Sequence, residues 1–332
     1  MARYHVYGIG AALVDTEVEV SDEFLLSAGI AKGHMTLVDE QRQHELLAVL
    51  GDHLVGSIRA SGGSAANSVI AASQFGSRAF YSCKVADDDN GNFYLEDMRA
   101  AGVDCNLNGG RDPGITGKCL VMITPDAERT MNTYLGISAS LSRQELDLEA
   151  LADSRYLYME GYLVTSDTAR AAAIQAREFA EANGVRTALS LSDPGMVEFF
   201  QPGLRQMMGQ RVDMLFCNRE EALGWTGAAN VREAAEKLKA DARQFAITLG
   251  AAGALLWDGT QLMEIPGHPA KAIDTNGAGD MFAGAFLHGI TSGMAFDSAG
   301  KLAARAAAEL VQHYGPRLPA AVHRNLIGVA KP

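Results

Sequence analysis

From residue 156 onward the chain alternates short apolar β-type runs with longer helix-compatible segments, and that alternation restricts the fold more than any other feature. Strands are expected at 156–159, 186–191, 214–217, 245–249 and 254–257, and helices at 167–183, 219–224, 231–241, 279–292 and 297–313. Strands separated by helices pair in parallel, and a parallel sheet needs helices over both faces. The expected class is therefore α/β, a central mostly parallel sheet flanked by helices. The first half agrees, with a buried strand at 6–14 broken by Gly8 and Gly10, helices at 40–54, 64–74 and 92–101, and a strand at 80–85.

Two stretches break the alternation. Val18 and Val20 alternate with Glu17 and Glu19, as on a half-exposed strand, and 35–38 is a second short β run. Residues 119–123 and 129–134 flank the turn Pro125-Asp126. These excursions are expected to form one small sheet lying over the main body, either a lid over a site or padding along an edge. The corresponding division is 1–14, 39–104 and 136–332 for the large unit, and 15–38 and 105–135 for the small one.

The chain has 332 residues, 48% hydrophobic and 20% charged, with a net charge of -12. An acidic surface argues against nonspecific binding to nucleic acid or to an anionic membrane. No apolar run reaches membrane-spanning length. Cys83, Cys105, Cys119 and Cys217 form no C-x-x-C pair, and the histidines show no metal spacing. Reduced thiols in the cytoplasm are the expectation. Three motifs fail on inspection. Gly8-Ile9-Gly10 lacks the third glycine of a dinucleotide fingerprint, Gly117-Lys118 lacks the first glycine and the Ser/Thr of a P-loop, and Gly62-Gly63-Ser64-Ala65-Ala66 lacks the last glycine of a nucleophile elbow.

Chemistry concentrates at Asp274-Thr275-Asn276-Gly277-Ala278-Gly279-Asp280. Gly277 and Gly279 permit tight backbone geometry, and the apolar stretch after Asp280 is helix-compatible. Free N–H groups at a helix start, with the macrodipole behind them, attract a phosphate. A carboxylate beside that phosphate can take the proton of an attacking hydroxyl. The amides of Gly277, Ala278 and Gly279 would then stabilise charge on the transferred group. A lone aspartate at a helix start would do no more than complement the dipole; the whole seven-residue segment carries the catalytic reading.

That segment resembles the C-terminal signature of the ribokinase-like (PfkB) carbohydrate and nucleoside kinases. Gly62-Gly63-Ser64-Ala65-Ala66-Asn67 resembles their Gly-Gly-x-x-x-Asn signature, Asn218-Arg219-Glu220-Glu221 their Asn-x-x-Glu motif, and Thr248-Leu249-Gly250-Ala251-Ala252-Gly253 their turn beside the nucleotide. The four occur in the family's order. The resemblance implies ATP and Mg2+, with a monovalent cation such as K+ left open. It assigns Asn218, Thr248, Gly250, Gly253, Asp274 and Thr275 to the nucleotide, and Asn218 and Glu221 to magnesium. It assigns Asp15, Gly63, Ser64 and Asn67 to acceptor hydroxyls, which suits a vicinal diol because a carboxylate accepts and an amide both donates and accepts.

Within the family the chain looks most like the bacterial adenosine kinases, on the form of 62–68, on 128–136 and on Ala12-Leu13-Val14-Asp15; Ala11 departs from that branch, which commonly has Asn there. The implied reaction moves the γ-phosphate of ATP to the 5′-hydroxyl of a ribonucleoside. Leu13, Met35 and Met131 are candidate apolar walls or ordinary lid packing, and Arg129 reaches either a phosphate or solvent. A sugar kinase acting on ribose or fructose, and a catalytically silent nucleoside-binding protein, are the competing readings. A monomer and a homodimer fit equally.

Overall fold

The computed structural model describes residues 2–51, 58–105 and 111–329. In chain order the strands are β1 (Tyr4–Ile9), β2 (Leu13–Glu19), β3 (Met35–Leu37), β4 (Ile58–Gly62), β5 (Ala79–Ser82), β6 (Val103–Cys105), β7 (Gly117–Ile123), β8 (Arg129–Tyr134), β9 (Ser154–Glu160), β10 (Arg186–Ser190), β11 (Val212–Asn218), β12 (Ala242–Thr248), β13 (Gly253–Trp257) and β14 (Leu262–Pro266). The helices are α1 (Asp22–Ser27), α2 (Glu40–Leu50), α3 (Ser64–Gln74), α4 (Asp89–Ala100), α5 (Leu148–Ala152), α6 (Asp167–Ala182), α7 (Pro194–Met208), α8 (Arg219–Thr226), α9 (Val231–Leu238), α10 (Ala278–Thr291), α11 (Phe296–Leu310) and α12 (Ala320–Val329).

The larger sheet has the order β14-β13-β12-β11-β10-β9-β1-β5-β6. Its strands run parallel from β12 to β6, as the alternation requires. β13 and β14 are antiparallel additions, because the connections into them are too short for a crossover. One core packs α3, α10 and α11 on one face, and a second packs α6, α7, α8 and α9 on the other. No helix among the described residues is long and apolar enough to cross a membrane.

Several expectations change. Residues 6–14 are not one strand: β1 ends at Ile9, and β2 starts at Leu13 in the other sheet. Gly10 sits at that crossing because a Cβ there would lie 2.5 Å from the Tyr81 hydroxyl and 2.7 Å from the Glu160 carboxyl. α7 escapes sequence reading because Gly195, Pro202 and Gly203 interrupt it and Phe200 is non-helical; burial of Met196, Val197, Leu204, Met207 and Met208 holds it. On α2 the buried positions are Gln43, Leu46 and Leu50, while Val49 is exposed.

The smaller sheet has the order β3-β8-β7-β2-β4. The two expected excursions are there, and β4 is a third. Leu13 to Glu17 of β2 pair antiparallel with β4, which puts 58–62 in the small sheet although the sequence alone assigns 39–104 to the large unit. Ile58-Arg59-Ala60-Ser61-Gly62 carries little β propensity, so its pairing comes from β2 and not from its own residues. Leu46 and Leu50 of α2 pack with Val18, Val20, Leu25, Ile30, Leu120 and Met122, which ties that helix to the small sheet as well. Because β2 leaves directly from the carboxyl end of β1, the small sheet covers the end of the parallel sheet where α/β folds bind ligands.

Candidate active site

A cleft of about 730 Å³ lies between the two sheets. Gly277 caps the start of α10, and its φ of +72° puts it in the left-handed region; a Cβ there would meet Pro316 at 2.7 Å. Asp280 stands in the first turn of α10. α3 crosses close by, since Gly284 leaves no Cβ to strike the Ser68 carbonyl, which would be 2.3 Å away. Two helix N-termini therefore meet at one carboxylate. Ser64 Oγ donates to Asp280 Oδ1 at 2.6 Å, and Asn67 Nδ2 donates to Oδ2 at 3.4 Å. Burial pushes the Asp280 carboxyl up to about 6, against the pull of Ser64, Arg129 and Asn67. A carboxyl raised toward neutral pH suits general-base chemistry. Ser64, assigned to acceptor hydroxyls from the sequence, spends its own hydroxyl proton on Asp280.

At one end of the cleft, Asp15 on β2 is 5% exposed and its Oδ1 is buried without a hydrogen-bond partner. Burial, Glu17 and Asp280 raise its carboxyl well above the usual range, opposed by Arg317. Gly62 faces it on β4, where a Cβ would come within 2.0 Å of the Asp15 carboxyl. Asn67 Oδ1 is likewise buried and unpartnered. Gly63, with φ +100°, lies where a Cβ would meet the Ala11 carbonyl at 2.4 Å. Leu13, Met35 and Met131 line the same cleft; Leu13 and Met131 also pack on Cys119, Val121 and Ile123, so they are both cleft wall and core of the small sheet.

The loop before α10 is braced on several sides. Arg129 Nη1 donates to the Thr275 carbonyl at 2.8 Å, so this arginine of the small sheet holds the loop rather than waving in solvent. Thr275 Oγ1 donates to the Ala127 carbonyl at 3.2 Å. Asp274, assigned to the nucleotide from the sequence, does not line the cleft. It is fully buried, and its two oxygens accept from the amides of Asn276 and Gly315, each at 2.8 Å. Thr275 does line it.

At the other end Asn218, Thr248, Gly250 and Gly253 border the cleft at the carboxyl ends of β11 and β12 and the turn into β13. Gly253 has φ +99°, and a Cβ there would lie 2.0 Å from the Ile265 carbonyl. Asn218 and Glu221 form a capping box on α8: Glu221 accepts from the Asn218 amide at 3.0 Å and from Nδ2 at 2.7 Å, and returns its own amide to Asn218 Oδ1 at 2.8 Å. Both carboxylate oxygens are thus engaged, and among the described residues no group of three or more His, Cys, Asp or Glu could hold a metal. Each Glu221 oxygen keeps a second lone pair, so the pair would fit hydrogen bonds to the water shell of a magnesium ion. Burial pushes the Glu221 carboxyl up to about 8.

Sequence reading missed Glu160, Tyr162 and the small residues Ala304, Ala307 and Ala308, all of which line the cleft. Glu160 ends β9 and accepts from the amides of Ala11 and Ala65, both at 2.7 Å, which fixes the crossover and the first turn of α3. Burial pushes its carboxyl up to about 7. Its one signal was its position at the carboxyl end of a parallel strand.

A carboxylate aimed past helix amides that invite an anion suits phosphoryl transfer to an alcohol, and the fold around it is that of the ribokinase-like kinases. The profile of the pfkB family carbohydrate kinases matches residues 35–322, and the chain belongs to that family. The solved structure of a probable sugar kinase from Rhizobium etli superposes with a TM-score of 0.92 at 31% identity, over 99% of this chain and 100% of the other. That of an adenosine kinase from Sinorhizobium meliloti superposes with a TM-score of 0.91 at 34% identity, over 98% and 99%. A Schizophyllum commune adenosine kinase is 27% identical over 356 residues, covering 96% of this chain and 97% of its own. The protein is a phosphotransferase with an alcohol acceptor, from a family that uses ATP and Mg2+ on small-molecule nucleosides or sugars.

Proposed function

We propose that the acceptor is a ribonucleoside, with adenosine as the principal substrate, and that the γ-phosphate of ATP passes to its 5′-hydroxyl. The observation that carries this is the composition of the acceptor end. Two buried, unpartnered oxygens, Asp15 Oδ1 and Asn67 Oδ1, await hydroxyl donors, and Leu13, Met35 and Met131 line the same cleft. A free sugar would fill a pocket with polar partners and leave an apolar wall dry. A nucleoside uses both, the ribose on the oxygens and the base on the wall. Likeness to the Sinorhizobium meliloti adenosine kinase supports the reading; the Rhizobium etli neighbour is why a sugar remains the rival.

In this reading Asp15 and Asn67 hold the 2′- and 3′-hydroxyls, which leaves the 5′-hydroxyl directed at Asp280. Asp280 takes its proton while the amides of Gly277, Ala278 and Gly279 receive the developing charge. Thr248, Gly250 and Gly253 border the nucleotide. When bound, magnesium neutralises phosphate charge. Met131→Gln tests the wall: a carboxamide facing a purine is expected to raise KM for adenosine about tenfold, leaving KM for ATP within about twofold. An unchanged KM for adenosine would remove the base from this wall.

A further inference from the structure

β2 carries a second buried carboxylate, two residues from Asp15 and so on the same face of the strand. Glu17 is 5% exposed. Its Oε1 accepts from Asn276 Nδ2 at 2.9 Å, and its Oε2 is buried without a partner. Asn276 immediately precedes Gly277, where the anion-binding turn begins. One lid strand therefore grips the acceptor end with Asp15 and the anion-binding loop with Glu17.

From this geometry we infer that Glu17 is a positioning residue, which through Asn276 sets the Gly277–Ala278–Gly279 amides at the place where the transferred phosphoryl group develops charge. The inference rests on the kinase chemistry of the family and not on the identity of the acceptor. The loop's other braces hold different points. Asp274 ties the Asn276 backbone to Gly315, Pro316 fills the space beside Gly277, and Arg129 and Ala127 hold Thr275. Glu17 alone of these takes the Asn276 side chain, and it does so from the lid. A buried carboxylate is a costly way to join two segments, since an apolar contact of like volume stabilises at least as well. Burial pushes its carboxyl up to about 7, against the Asn276 hydrogen bond and with Asp274 adding to the rise. That cost is consistent with a job in placing the loop rather than in holding the fold. Misplacing charge-stabilising amides by an ångström costs up to about a hundredfold in rate.

The test compares Glu17→Ala and Glu17→Gln with the wild type, using saturating ATP and whichever alcohol the wild type turns over fastest. Glu17→Ala is expected to lower kcat by about 10- to 100-fold, with both KM values within about threefold. Glu17→Gln keeps an oxygen that accepts from Asn276 and is expected to stay within about threefold of wild type in kcat. Amide hydrogen exchange at 275–279 in the ATP-bound enzyme should rise at least about tenfold in the alanine variant and stay near wild type in the glutamine variant. If the alanine variant fails to fold, Glu17→Met fills the volume and takes its place in both readouts. A kcat within about twofold of wild type, a loss confined to the acceptor KM, an equal loss in the glutamine variant, or unchanged exchange would each overturn the assignment. A wild type inactive on every alcohol would instead overturn the functional reading, and the exchange measurement would still decide the role of Glu17.

Discussion

Asp280→Asn is expected to lower kcat by about 10²–10⁴, the scale on which a general base contributes, while ATP binding and folding persist. The asparagine keeps an oxygen for the Ser64 hydroxyl and loses only the long 3.4 Å bond from Asn67 Nδ2, so the crossing of α3 and α10 persists. Removing the charge should leave stability at pH 7 unchanged or slightly higher. A carboxyl whose folded value of about 6 lies above its unfolded value of 3.8 loses stability as pH rises between them, and by pH 7 that loss is complete. Activity has the opposite sign, because the base works only when ionised. The wild-type kcat should therefore fall on acidification with a midpoint near pH 6, and the residual rate of the asparagine variant should lack that limb. Near wild-type turnover in Asp280→Asn would take the proton acceptor elsewhere.

The second large effect concerns the acceptor. If Asp15 and Asn67 grip a ribose diol, 2′-deoxyadenosine leaves one of these buried groups without a partner. Such a group costs about 1–3 kcal/mol, which is roughly tenfold to a few hundredfold in kcat/KM. Asp15→Ala should erase most of that preference and lower activity on both nucleosides. Equal wild-type rates on adenosine and 2′-deoxyadenosine would remove the diol grip.

Features that depend on local backbone needs were legible in the sequence. The start of α10 at Ala278, the glycine turn before α3 and the parallel pairing of β9 to β12 follow from glycine placement and the alternation of strands with helices. Contacts between distant segments were not. Asp274 looks like a nucleotide ligand within its motif, yet its second oxygen serves Gly315, 41 residues away. Glu160 serves Ala11, 149 residues away, and only its place at the end of a strand marks it. β4 is a strand only because β2 lies beside it. Asn218 and Glu221 form a capping box on α8, a local use of the same spacing that the family resemblance did not bring out.

The central claim, a kinase whose acceptor is a ribonucleoside, is tested most directly by ADP release from ATP and Mg2+ across a panel of adenosine, other nucleosides, ribose and fructose, with the phosphorylated product identified. The account predicts the highest kcat/KM for adenosine and AMP as its product; turnover of a free sugar with none of any nucleoside would contradict it.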